Sequence, residues 1–278
     1  MGKNVLKKVR FILTNCSVGN RKHDYKRLLA FTLAEVLITL GIIGVVAAMT
    51  LPTLIQKYQE KETVTALKKF YSSISQAYIF AKNEYGYPDV WYPENALRGV
   101  LSDIMLDNFA KFMKTTKICH TNKGCFPDVK YKKIDGNYTS NWNEATFISK
   151  LTTSDGMSVS FYSYGPVAFN DRGDSGALTE TYGALSVDIN GFKKPNIFGK
   201  DMFTFIIARD GIVPNGVPAS TTTTNPDTME RVKAFPYGCN TENCYGYCEA
   251  CCAWVIYKEN MDYLHCSDLS WDGKNKCR

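Results

Sequence analysis

Residues 31–51 carry a single charge, Glu35, in 21 positions. Coiled as a helix at about 1.5 Å per residue, this stretch is roughly 30 Å long, the thickness of a bilayer's hydrocarbon core. A segment of that kind needs lipid, or other copies of itself, to cover it. A carboxylate inside it is costly without a partner, which marks Glu35 as a functional residue. The 30 residues before it have the opposite character, with eight lysines and arginines and one acid, Asp24. An ordinary secretory signal keeps its apolar core upstream of the cleavage point and loses it. Here the apolar run follows the basic leader, so a cut between the two would leave the anchor on the mature chain.

The junction reads Lys26-Arg27-Leu28-Leu29-Ala30-Phe31-Thr32-Leu33-Ala34-Glu35-Val36. It resembles the N-terminus of type IV prepilins and of type II secretion pseudopilins. Phe31, Thr32, Leu33 and Glu35 fit that motif position by position. Ala30 stands where the family usually has Gly, and Pro52 falls where many members carry a helix-kinking proline. The resemblance covers about residues 26–52. It implies cleavage between Ala30 and Phe31 by a prepilin peptidase, N-methylation of Phe31, and a structural rather than enzymatic role in a pilus or pseudopilus filament. Its implied partners are other subunits and an inner-membrane assembly platform. The chain would be a single-pass inner-membrane protein before assembly, with its head in the periplasm or another extracytoplasmic space. In a packed filament the Glu35 carboxylate would neutralise the Phe31 amine of a neighbour, so that neither charge is buried alone. The mature chain of 248 residues is long for a major pseudopilin and tilts the reading toward a minor subunit. The competing reading is an extracytoplasmic binding domain on a membrane anchor that never polymerises.

Charge and cysteine content place the remainder. The formal charge of +6 resides in the leader, because residues 31–278 hold 25 basic against 26 acidic side chains. The basic leader is then a topological signal that keeps the N-terminus cytoplasmic, and no basic stripe remains to attract nucleic acid. Cys16 lies in the leader, leaving nine cysteines: Cys119, Cys125, Cys239, Cys244, Cys248, Cys251, Cys252, Cys266 and Cys277. That density in an exported domain favours disulfides, and the odd number implies one free or intermolecular thiol. Cys119 and Cys125 stand apart from the others and close a short loop, so they are paired; the seven C-terminal cysteines admit no assignment.

Four regions follow: a leader over 1–30, a transmembrane and polymerisation helix over 31–52, its helical continuation over 53–86, and a head over 87–278. Apolar residues at Leu67, Phe70, Tyr71, Ile74, Ala77, Tyr78 and Ala81 recur at steps of three and four, the face of a helix that continues through Pro52. Gly86 and Pro88 end it. A second amphipathic helix is expected within 94–114, on Leu97, Val100, Leu101, Ile104, Met105, Phe109 and Phe112. The aromatic stretch Tyr85, Tyr87, Trp91 and Tyr92 reads as a cap over the first helix. Alternating apolar runs at 157–164, 183–189 and 202–208 read as strands, 220–226 as a polar loop, and residues around Ala253-Trp254-Val255 as a short helix. The fold class is α+β: a long N-terminal helix packed on a head with a small antiparallel sheet, as in pilins.

Two clusters could carry chemistry. Asp188, Asn190 and Asp201 lie around a Gly191 turn with Pro195, Asn196 and Gly199, and supply the hard oxygen ligands that calcium prefers. The segment is loosely similar to the calcium loop of major pseudopilins; the alternative is a plain turn between strands, with Asn190-Gly191 supplying the positive φ. The run Cys244, Cys248, Cys251, Cys252 with His265-Cys266 invites a zinc reading, but adjacent cysteines in an exported chain fit disulfides better. The two histidines beyond the leader, His120 and His265, each neighbour a cysteine. Phosphate-loop and nucleophile-elbow motifs are absent.

Overall fold

The structure is a computed structural model, which describes residues 32–93, 95–166, 178, 180–217, 238–239, 241–242, 244 and 248–277. The leader, the Ala30–Phe31 junction and the polar loop at 220–226 lie outside the described residues. Contacts divide the chain into two units, Met1–Pro52 and Thr53–Arg278.

Helix α1 spans Leu33–Tyr85. It starts in a reciprocal capping box: Glu35 N–H donates to Thr32 Oγ1 at 3.2 Å, and Thr32 N–H donates to Glu35 Oε2 at 2.8 Å. Pro52 lies inside it, so the helix continues where the missing N–H costs one hydrogen bond. Gly86, at φ +81°, donates its N–H to Lys82 O at 3.0 Å and turns the chain out in the left-handed conformation that glycine favours.

Within the second unit, α1 buries Val64, Leu67, Phe70, Ile74, Ala77, Tyr78 and Ala81, the face expected from the periodicity. Tyr78 Oη donates to the carbonyls of Ala208 and Arg209, at 2.8 and 2.7 Å, and Tyr71 Oη to Ile212 O at 3.1 Å. These bonds fix the helix against one end of the sheet. Trp91 packs edge-on to Tyr78 and Phe109 and donates its indole N–H to Gly86 O at 2.9 Å, which makes the aromatic segment a cap on α1.

Helix α2, Arg98–Ala110, is shorter than the expected 94–114 and buries Leu101, Met105, Leu106 and Phe109. Leu97 and Val100 are exposed. Ser102 joins α2 to the sheet by donating to Phe147 O at 2.9 Å and accepting Ser163 N–H at 3.2 Å.

The sheet corrects the expectation of a small antiparallel one. Among the described residues it has nine strands: β1 Thr115–His120, β2 Lys130–Lys133, β3 Tyr138–Asn141, β4 Ser149–Thr153, β5 Ser158–Ser163, β6 Thr181–Asp188, β7 Ile197–Phe198, β8 Met202–Ala208 and β9 Ile212–Pro214. Their order is β1-β4-β5-β6-β8-β7-β2-β3, with β9 on β8. Pairing is antiparallel except at β2–β7 and β7–β8, so the sheet is mixed. The expected strands are β5, β6 and β8, the apolar centre. Strands β2 and β3, Lys-Tyr-Lys-Lys and Tyr-Thr-Ser-Asn, are short and polar, and extend the sheet by hydrogen bonding more than by apolar burial. Helix α3, Cys251–Lys258, carries the expected short helical piece and buries Trp254 and Val255 completely.

Candidate assembly, cation and groove sites

Of the residues in the processing motif, Ala30 and Phe31 lie outside the described residues, while Thr32, Leu33 and Glu35 open α1. Glu35 Oε2 accepts both the N–H and the hydroxyl of Thr32, at 2.8 and 3.0 Å. Beyond this cap the helix surface is apolar and uncovered: Leu33, Leu37, Ile38, Leu40, Ile42, Ile43, Met49, Leu54 and Ile55 each stand more than half exposed. This helix is long and apolar enough to cross a membrane.

The acidic pair is built by the strands. Asp188 ends β6 and Asp201 precedes β8, and both are buried. Asp188 Oδ1 accepts the N–H groups of Asn190 and Gly191, at 3.1 and 2.9 Å, and its Oδ2 accepts Tyr131 Oη from β2. Asp201 Oδ2 accepts Asn196 N–H at 2.7 Å and Asn190 Nδ2 at 3.0 Å, and its Oδ1 accepts Ile197 N–H at 2.5 Å. No cation is bonded to either carboxyl among the described residues. Burial, with Asp201 beside it, pushes Asp188 far above the ordinary carboxylate range; burial also raises Asp201, against the hydrogen bonds that oppose it.

Two side-chain oxygens in the same turn, Asn190 Oδ1 and Asn196 Oδ1, are buried without a hydrogen-bond partner. Two carboxyls and two orphaned amide oxygens are the donor chemistry of a hard cation. Among the described residues no group of three or more His, Cys, Asp and Glu side chains is placed to hold a metal ion. Any cation here would therefore depend on the asparagine oxygens. Asn196 was among the residues the spacing grouped around Gly191, but Tyr131 was not legible from spacing, because it arrives from a strand 57 residues away from Asp188.

Among the described residues the cysteines form four bridges: Cys119–Cys125, Cys239–Cys251, Cys244–Cys248 and Cys266–Cys277. Cys252 is free and buried. His120 pairs with Asp107 and His265 with Glu60, each at 2.8 Å. The cysteine beside each histidine is bonded in a disulfide, so sequence adjacency produces no thiolate–imidazole pair.

Residue spacing gave no sign of a groove in the second unit. It has a volume of about 690 Å³ and lies between the α1 turns that begin at Thr53 and the C-terminal segment that includes Asn260, Asp262, His265 and Cys277.

Residues 53–263 match a family of unknown function, DUF6613. The chain belongs to this family. The matched region begins at the residue where the second structural unit begins, Thr53, and excludes the apolar start of α1. No curated protein and no solved structure matches the chain.

Proposed function

We propose that this member of DUF6613 is a prepilin-like structural subunit. It is cut between Ala30 and Phe31, methylated on Phe31, anchored by the apolar start of α1 and built into a type IV pilus or type II secretion filament, as a minor component, with its disulfide-bonded head outside the cytoplasm. The observation that carries this reading is the uncovered apolar helix with one carboxylate at its first turn. A plain anchor has a use for the apolar surface and none for Glu35 beyond its cap. A filament uses both, because a neighbour's amino terminus meets the carboxylate once lipid is replaced by other helices.

The capping box lets one pair of variants separate the roles. Glu35→Gln keeps an acceptor for Thr32, since Gln serves as well as Glu in this motif, and removes the charge. The expected result is normal membrane insertion and loss of incorporation into filaments for Glu35→Gln as well as Glu35→Ala. Assembly of Glu35→Gln at the native level would reduce Glu35 to a helix cap and leave a non-polymerising anchored domain.

The turn around Asp188 and Asp201 is, in the same reading, a calcium site completed by Asn190 and Asn196, holding the β6–β8 connection in the exported head. Calcium would supply positive charge that lets both buried carboxyls ionise.

A further inference from the structure

We propose that the groove beside the first turns of α1 in the second unit holds the headgroup of an ethanolamine phospholipid, with its phosphodiester on Lys57 and Lys61 and its ammonium on Asp262. The proposal rests on the membrane-anchored reading above.

The charges in the groove fall on two walls. Two pairs are closed internally: Lys68 with Glu259, and His265 with Glu60. What remains on the α1 wall is Lys57 and Lys61, one turn apart on a common face and without an ion-pair partner among the described residues. On the opposite wall is Asp262. Its Oδ2 accepts Cys277 N–H at 2.6 Å, and no cation pairs with it among the described residues. The Cys266–Cys277 disulfide holds this wall in place. Val64 and Met261, both buried, contribute apolar lining.

A ligand that satisfies two cations and one anion on facing walls carries a negative and a positive group a short distance apart. A phosphodiester joined to a primary ammonium fits this arrangement. A choline headgroup cannot donate a hydrogen bond to Asp262, and a glycerol headgroup brings it no cation. Position selects a lipid over a soluble zwitterion. Lys57 lies six positions past Leu51 in the sequence, directly behind the apolar run, and lysine stems carry their ammonium groups toward the interfacial layer beside a hydrocarbon core.

The test uses the full chain in phosphatidylcholine nanodiscs doped equally with phosphatidylethanolamine and phosphatidylglycerol. Lipids that stay bound after transfer to detergent are counted by native mass spectrometry. The unmodified chain is expected to retain phosphatidylethanolamine over both other lipids. Each of Lys57→Gln and Lys61→Gln should weaken retention about fivefold, from about 1 kcal/mol per lysine, and the double variant about 25-fold. Asp262→Asn keeps an acceptor for the Cys277 N–H and should abolish the preference for ethanolamine over choline. Equal retention of the three lipids, retention unchanged in the double lysine variant, or a photo-cross-linker at Gln56 that captures a second copy in place of lipid would overturn the proposal. Alkaline extraction is run in parallel. Release of the unmodified chain would sink the anchored reading itself, whereas a chain that resists extraction and shows no preference sinks the headgroup site alone.

Discussion

Asp188 and Asp201 make the stability of the metal-free chain depend on pH in an unusual direction. Burial pushes both carboxyls above their values in the unfolded chain, Asp188 up to about 8. Between the ordinary carboxylate range and that value the folded state binds more protons, so stability is fullest at low pH and falls as pH rises. The melting temperature should therefore drop from about pH 5 to about pH 8.5. Asp188→Asn retains the acceptor for the Asn190 and Gly191 N–H groups and should flatten the dependence and raise the melting temperature at the alkaline end. Added calcium should do the same for the unmodified chain and little for the variant. A melting temperature that rises with pH, or that ignores calcium at about pH 8.5, would remove the cation from this turn. Part of this site was legible as residue types around Gly191. The unpartnered Asn196 oxygen and the Tyr131 hydroxyl were not, since both depend on how β2 and β7 are brought beside β6 and β8.

Among the elements, the long helix was the most legible and the sheet edges the least. The α1 stripe from Leu67 to Ala81 is periodic because a single apolar face must meet the sheet, and Gly86 with Pro88 ends the run by backbone chemistry alone. Helix α2 shows where periodicity misleads: Leu97 and Val100 continue the pattern yet face outward, because Leu97 is the residue before the helix and Val100 falls off its buried side. The strands Lys130–Lys133 and Tyr138–Asn141 have no apolar alternation to read; Lys132 instead lays its ammonium 4.9 Å from the Tyr138 ring centroid. Gly183 in β6 marks the close approach of α2 to the sheet. A Cβ there would stand 2.5 Å from Tyr162 O and 2.8 Å from Met105 Cε. The methionine can yield, but the backbone carbonyl of the paired strand cannot. Gly183→Ala should cost about 2 kcal/mol, a melting temperature lower by about 4–8 °C; an unchanged melting temperature would mean that α2 and β6 are less closely packed.

At the scale of the whole chain, a basic N-terminal segment precedes a helix long and apolar enough to cross a membrane, and a disulfide-bonded remainder follows it. Cysteine content indicated oxidation, but the pairing of the C-terminal cysteines follows from the fold, which sets Cys251 of α3 beside Cys239 and the chain end beside Cys266. The Cys239–Cys251 and Cys266–Cys277 bridges span 12 and 11 residues, and each is expected to contribute about 3 kcal/mol. Reduction should thus lower the melting temperature on the order of 10 °C, and an unchanged value would show that packing alone holds the C-terminal segment. The groove joins Glu60 to His265 across 205 positions, a juxtaposition that no local pattern could announce. Everything claimed for assembly depends on what happens between Ala30 and Phe31, and the intact mass and N-terminal sequence of the chain extracted from membranes measure that directly. The account predicts a chain that begins at N-methyl-Phe31. A chain that still carries Met1–Ala30, or begins elsewhere, would contradict it.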